Sequence, residues 1–240
     1  MTSKEILIFV EGPSDSFFLE VYLLYLYFQE RFPIKNFKVQ NVDGKDNLSK
    51  RLLEIEKYDK TLIIFDADIK KESQKSDAGF DNKLKHIREK FKEKGIDFPK
   101  EQIFLFPNNQ DDGDLETLLL EIAKHDEFLK CFERYLECIK SKEHYKPIKD
   151  IRKNMLYAYL EALGLKKFFQ YTWDTEKKNN KKKLIIDDKD EDEIEIKDQY
   201  KEEYEKLKEV IDFKSKSLIP LKNFLGQFAE NKQKTKLKIF

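Results

Sequence analysis

The stretch "ILIFVEGPSDSFFLE", residues 6–20, carries an uninterrupted apolar run straight into a glutamate, a glycine and a proline. A continuous apolar run ended by Gly-Pro predicts a strand over residues 5–10 that is buried on both faces. Three residues past the glycine, Asp15 opens a second apolar stretch, which predicts a helix over 15–31 that stops before Pro33. Nothing structural requires a glutamate at the exit of such a strand. The position of Glu11 therefore asks for a chemical reason.

The rest of the first half repeats this layout. "FKVQNV" (37–42) alternates as a second strand, and "DNLSKRLLEIEKY" (46–58) sets Leu48, Leu52, Leu53 and Ile55 on a helical stripe. "TLIIF" (61–65) is a third strand, and "FDNKLKHIREKFKEKG" (80–95) an amphipathic helix closed by Gly95. "QIFLF" (102–106) and "DLETLLLEIAKH" (114–125) complete the series. Strands and helices joined by crossovers of this length predict an α/β domain, Rossmann-like, with a four-stranded parallel sheet covered on both faces, over residues 1–125. In such sheets ligands bind beyond the carboxyl ends of the strands, which is where Glu11 stands.

Residues 126–240 read as a mainly helical extension, with stripes over 126–141, 148–162, 199–212 and 215–229. A polar break at 174–183 precedes "LIIDDKDEDEIEIK" (184–197), which fits an exposed hairpin and a mobile charged loop equally well. The chain holds 47 Lys/Arg against 47 Asp/Glu, so its net charge predicts no polyanionic partner. With 20 Phe and 11 Tyr it has the aromatic content of a packed interior, which excludes disorder throughout. No apolar run reaches the roughly 18 residues of a membrane span, and the start of the chain lacks a signal-peptide layout. Cys131 and Cys138, two helical turns apart, are too distant for a disulfide. Read as buried thiols, they fit a reducing compartment and a cytoplasmic location.

The strand exits share one property. The first delivers Glu11 and then Asp15, the third delivers Asp66 and Asp68 in "FDAD", and the fourth delivers Asp111, Asp112, Asp114 and Glu116 in "FPNNQDDGDLE". If the first and third strands are neighbours, their carboxylates converge. Carboxylates packed together repel and raise one another's pKa, and a divalent cation removes that repulsion. With no His or Cys among them the donor set is all oxygen, which suits one or two Mg²⁺ or Mn²⁺ ions better than Zn²⁺. Each residue also has a plainer reading. Asp15 and Asp114 serve equally as helix caps, Glu116 as a partner of the helix dipole, and a lysine or arginine seated in the pocket would neutralise it without any metal.

"FVEGPSD" followed by "IIFDAD" resembles the Toprim domain of topoisomerases, bacterial primases, recombination proteins and OLD-family nucleases. The closer likeness is to the OLD type and to small stand-alone bacterial Toprim proteins, whose last motif "LFPNNQDDGDLETLL" is similar to. The match covers about residues 5–123. The resemblance implies that Glu11 acts as general acid/base or metal ligand and that Asp66 and Asp68 bind metal. It further implies that Asp15 and Glu116 add ligands. In "VDGKDNL" (42–48) it suggests that Lys45 meets a phosphate oxygen, although a solvated turn lysine reads as well.

The sequence also departs from the pattern. The glycine that often follows the Asp pair closely is displaced to Gly79, and no Walker motif accompanies the domain. The expected function is metal-dependent phosphodiester hydrolysis of nucleic acid, DNA ahead of RNA, in phage or plasmid defence. Self-association or a partner ATPase accompanies that expectation. The alternative is a non-catalytic module that binds a metal, a nucleotide or a nucleic-acid end as sensor or assembly partner. A small-substrate phosphatase fits less well, because its Asp-x-Asp follows the first strand. His86, His125 and His144 show no ligand spacing, and Trp173 suits core packing or base stacking.

Overall fold

Four strands form the sheet that organises the molecule: β1 (Ile6–Val10), β2 (Phe37–Asn41), β3 (Lys60–Asp66) and β4 (Ile103–Phe106). They lie in the order β2-β1-β3-β4, all parallel, in a computed structural model of the chain. The model describes residues 5–34, 36–44, 47–70, 76–144, 146, 148, 151–165, 186–190, 193–196 and 198–229. Lys45, Trp173 and the polar break at 174–183 lie outside these residues.

The central strands are continuous apolar runs because both of their faces are covered. Strand alternation sends Leu7, Phe9, Ile63, Phe65, Ile103 and Leu105 into a cluster with Ile87, Phe91 and Phe98. The helix carrying Ile87 and Phe91 is α3 (Phe80–Lys92). The even-numbered residues Ile6, Ile8, Val10, Leu62, Ile64, Phe104 and Phe106 are buried on the opposite face. There α1 (Pro13–Glu30) packs Phe18 at 6.2 Å from Phe106, and α8 (Ile219–Gly226) packs Phe224 at 5.4 Å from Phe104. Helix α1 is apolar almost all round because it is enclosed: Val21 to Leu26 are all buried, and the Tyr22 hydroxyl donates to the Leu218 carbonyl. Edge strand β2 is polar at Lys38, Gln40 and Asn41, as an exposed rim demands.

One link departs from its sequence pattern. In place of a helix over 46–58 the chain forms α2 (Leu48–Arg51) and then a 3₁₀ turn, Leu52–Lys57. A 3₁₀ turn rises about 2.0 Å per residue against 1.5 Å in an α-helix, so the tighter winding carries the chain further back toward the start of β3. Leu48 and Ile55 still reach the sheet cluster.

By contact density the chain forms two compact units, Met1–Leu118 with Lys214–Phe240, and Leu119–Phe213. Helix α4 (Leu115–Glu121) runs across the boundary. The last helix returns to the sheet, and the intervening residues make a unit of their own. That second unit holds α5 (Asp126–Lys140), α6 (Ile151–Ala162), the antiparallel pair β5 (Ile186–Asp190) and β6 (Glu193–Ile196), and α7 (Asp198–Val210). The described parts of the acidic segment, Ile186–Asp190 and Glu193–Ile196, thus pair as antiparallel strands. Tyr159 anchors the unit: fully buried, it donates to the Val210 carbonyl at 2.9 Å and meets His125 Nδ1 at 2.9 Å.

The two cysteines are exposed, contrary to the sequence reading, so the compartment inferred from their burial loses its support. Their spacing does keep them on one face of α5. That face lies roughly 200° around the helix from Leu129, its one buried residue. Among the described residues, no helix is long and apolar enough to cross a membrane.

Candidate metal centre

Strands β1 and β3 are direct neighbours, and the register pairs Val10 with Ile64. Glu11 follows Val10, and Asp66 ends β3 two residues past Ile64, so both leave the sheet at the same rim. Alternation separates their sides. Asp66 continues the even-numbered series that faces α1, whereas Glu11 continues the odd-numbered series that faces α3.

Asp15 reaches the rim through the start of α1. Gly12 is the N-cap in extended conformation, Pro13 is the first helical residue, and Asp15 occupies the third. The Asp15 Oδ2 accepts the Gly12 backbone N–H at 2.7 Å. A Cβ at position 12 would sit 3.2 Å from that same oxygen, so a larger residue there would press on the Asp15 carboxylate. Asp15 therefore does have a capping role, from the third helical position rather than as the N-cap itself. It is also buried, with 6% exposure. Burial first, then the charges of Glu116 and Glu11, push its pKa from 3.8 up to about 8.

Asp66 accepts the Leu115 backbone N–H at 2.9 Å, which ties the end of β3 to the start of α4. Burial raises its pKa well above the usual carboxylate range, and Asp15, Glu11, Glu116 and Asp114 add to the shift. Three sequence-distant segments, 11–15, 66 and 114–116, thus place their carboxylates within one another's field. Asp114 itself caps α4, its Oδ1 accepting the Thr117 backbone N–H at 2.8 Å and the Thr117 hydroxyl at 2.5 Å. Asp112 holds the start of α3 by accepting the Phe80 backbone N–H at 2.8 Å, and Asp111 pairs with Asn108 in an exposed turn.

Asp68 goes elsewhere. Its backbone is left-handed, φ 61°, and bridges to Gly113 across the rim. Its Oδ2 receives Lys83 Nζ at 2.7 Å, and Asp77 Oδ2 lies 3.3 Å from the same ammonium. No part of the Lys83 side chain is exposed. Burial pulls the ammonium pKa down, yet Glu11, Asp68 and Asp77 outweigh it and hold the value above that of an ordinary lysine.

Lys83 is the residue that the sequence reading missed. It hides among six Lys/Arg on and beside one helix, "NKLKHIREKFKEK" (82–94). A signal was present: Lys83 lies four residues before Ile87 and eight before Phe91, on the buried stripe of α3.

One lysine thus does stand in the rim, although it engages Asp68 and Asp77 and leaves Asp15 and Asp66 strongly perturbed. The donors around those two are all oxygen, which fits Mg²⁺ or Mn²⁺ chemically. Among the described residues, however, no three Asp, Glu, His or Cys side chains are placed with the geometry to hold a metal ion. Internal partners turn the carboxylates aside: the Gly12 amide for Asp15, the Leu115 amide for Asp66 and the Lys83 ammonium for Asp68.

Residues 5–230 match the family described as "Protein of unknown function (DUF3226)", and the chain belongs to that family. No curated protein matches the chain, and no solved structure does.

Proposed function

We propose that the chain is a divalent-metal-dependent phosphodiester hydrolase acting on nucleic acid, DNA ahead of RNA, through a Toprim-like carboxylate centre. The observation that carries the proposal is the convergence of Asp15 and Asp66. Two buried carboxylates from separate strand exits, flanked by Glu11 and Glu116, stand in a field that disfavours their ionised forms. Natural chains rarely bury acids together without a function for them. The likeness of "FVEGPSD", "IIFDAD" and "LFPNNQDDGDLETLL" to the small Toprim proteins and OLD-type nucleases supports the same reading. A role in defence against phage or plasmids rests on that likeness alone.

Asp15, Asp66 and Glu116, with Glu11, are the residues that would hold Mg²⁺ or Mn²⁺. A bound ion there supplies an acidic water and neutralises charge on the phosphoryl oxygens. Glu11, whose charge acts on Asp15, Asp66 and Lys83, either completes that set or takes the proton of the attacking water. Lys83 pairs with Asp68 and Asp77.

The Asp68–Lys83 pair and the turned carboxylates also favour a second reading, a metal- or nucleotide-binding module that senses or assembles without cleaving. One experiment separates the two. Purified protein with Mn²⁺ should nick supercoiled plasmid, and Glu11→Gln and Asp66→Asn should each abolish nicking. Equal nicking by both variants would identify a contaminant. Tight Mn²⁺ binding without nicking would select the module.

A further inference from the structure

Helix α5 is apolar over more of its circumference than its own unit covers. Its inner side packs inward: Leu129 is buried, and the Phe128 ring lies 5.4 Å from that of Tyr159 on α6. Cys131, Tyr135 and Cys138 follow at i, i+4 and i+7, which sets them on one stripe beyond that inner side. All three are exposed, Tyr135 by 56%. The Tyr135 ring is held edge to face against Phe132 at 5.9 Å. Free cysteine is among the most buried residue types, and tyrosine is prominent among the residues that carry protein contacts. Two exposed thiols flanking an exposed, braced tyrosine make a stripe suited to burial in an interface.

The charges beside the stripe indicate what covers it. Glu127 stands at its start, and Lys142, two residues past the helix, stands at its end; both are exposed. A second copy laid parallel would set glutamate on glutamate and lysine on lysine, which repel. Laid antiparallel, about a two-fold axis between Arg134 and Tyr135, it sets Glu127 opposite Lys142 at both ends. The same register puts Tyr135 beside its twin and within reach of the second copy's Arg134, a side chain that stacks on aromatic faces. It also puts Cys131 opposite Cys138. The stripe is thus complementary to itself in one register, as a two-fold contact requires. Helix axes about 8–10 Å apart, with Cα atoms about 2.3 Å off each axis, bring facing Cα atoms to about 5 Å, within disulfide range.

We propose that two copies of this chain associate through α5 in that antiparallel register. One helix from each copy makes a small interface, so the dimer is reversible and depends on concentration. The contact belongs wholly to the unit Leu119–Phe213 and is independent of the metal-centre reading.

The test oxidises the whole protein with diamide, which takes two electrons and two protons from a facing thiol pair and leaves an S–S bond. Wild type should give a dimer on a non-reducing gel, reversed by dithiothreitol. Cys131→Ser and Cys138→Ser should each stay unlinked alone, because every bond needs one thiol of each kind. Mixed together, the two variants should link. Tyr135→Glu, an exposed change checked for native circular dichroism, should prevent linkage. It should also stay monomeric in sedimentation over a concentration series in which wild type dimerises. Linkage within either single cysteine variant overturns the register. A folded Tyr135→Glu that links as well as wild type overturns the contact. If Tyr135→Glu does not fold, the mixed cysteine variants decide. A wild-type chain that stays monomeric and unlinked overturns the pairing and leaves the stripe to a different protein.

Discussion

The ammonium of Lys83 lies 2.7 Å from the carboxylate of Asp68, and the lysine side chain has no exposed surface. A charge pair this deeply placed contributes little net stability while intact, but removing one partner strands the other. Lys83→Met should therefore destabilise the protein by about 3–5 kcal/mol, read as a lowered urea midpoint at constant m-value. The double variant with Asp68→Asn should recover part of that loss. A shift under about 1 kcal/mol would mean that solvent reaches Asp68 after the substitution.

Stability should fall as pH rises. The folded chain holds the Asp15 proton up to about pH 8, whereas an unfolded chain releases it near 3.8. Between those values the folded state binds more protons, so this group's contribution is complete below pH 3.8 and is lost as pH climbs through 8. Asp66 acts in the same direction. Thermal midpoints measured in EDTA should drop from pH 5 to pH 8.5, and Asp15→Asn should flatten the profile. Mn²⁺ should raise the midpoint most at the alkaline end.

Capping and metal binding separate at Asp114. Because its carboxylate serves Thr117, Asp114→Ala should cost about 1 kcal/mol of stability. Mn²⁺ affinity should change by less than about threefold, since 1.4 kcal/mol corresponds to a factor of ten. A loss of Mn²⁺ binding as large as that of Asp66→Asn would place Asp114 among the ligands.

The helical unit offers an independent check. Tyr159→Phe removes a donor from the Val210 carbonyl, which keeps its bond from the Lys124 amide, and a partner from His125. The expected loss is about 1 kcal/mol, with plasmid nicking unchanged. A larger loss would show that the hydroxyl bond to His125 organises the start of α5.

The sheet was legible because continuous apolar runs ended by turn residues have few alternatives, and "EILIFV" and "TLIIF" became the two central strands. The adjacency of Glu11, Asp15 and Asp66 followed once those strands were paired. Local pattern could not show which way each carboxylate turns. Asp68 resembles Asp66 in sequence, and only its left-handed backbone sends it to Lys83. Lys83 was obscured by abundance, since a lysine on an apolar stripe looks like its solvated neighbours until the partner carboxylates are located. The cysteines were misplaced for a related reason. Spacing shows that two residues share a face but not which face is covered.

Phe224 packs on Phe104, and the Leu218 carbonyl meets Tyr22, so the sheet's second face is sealed by the far end of the chain. A ribosome that has released only the first half has produced every acidic residue of the rim, but α1 and β4 still expose apolar surface. The rim should therefore become rigid only after residues 214–229 have emerged. Truncation before Lys214 should yield an aggregating fragment even though every proposed metal ligand is present.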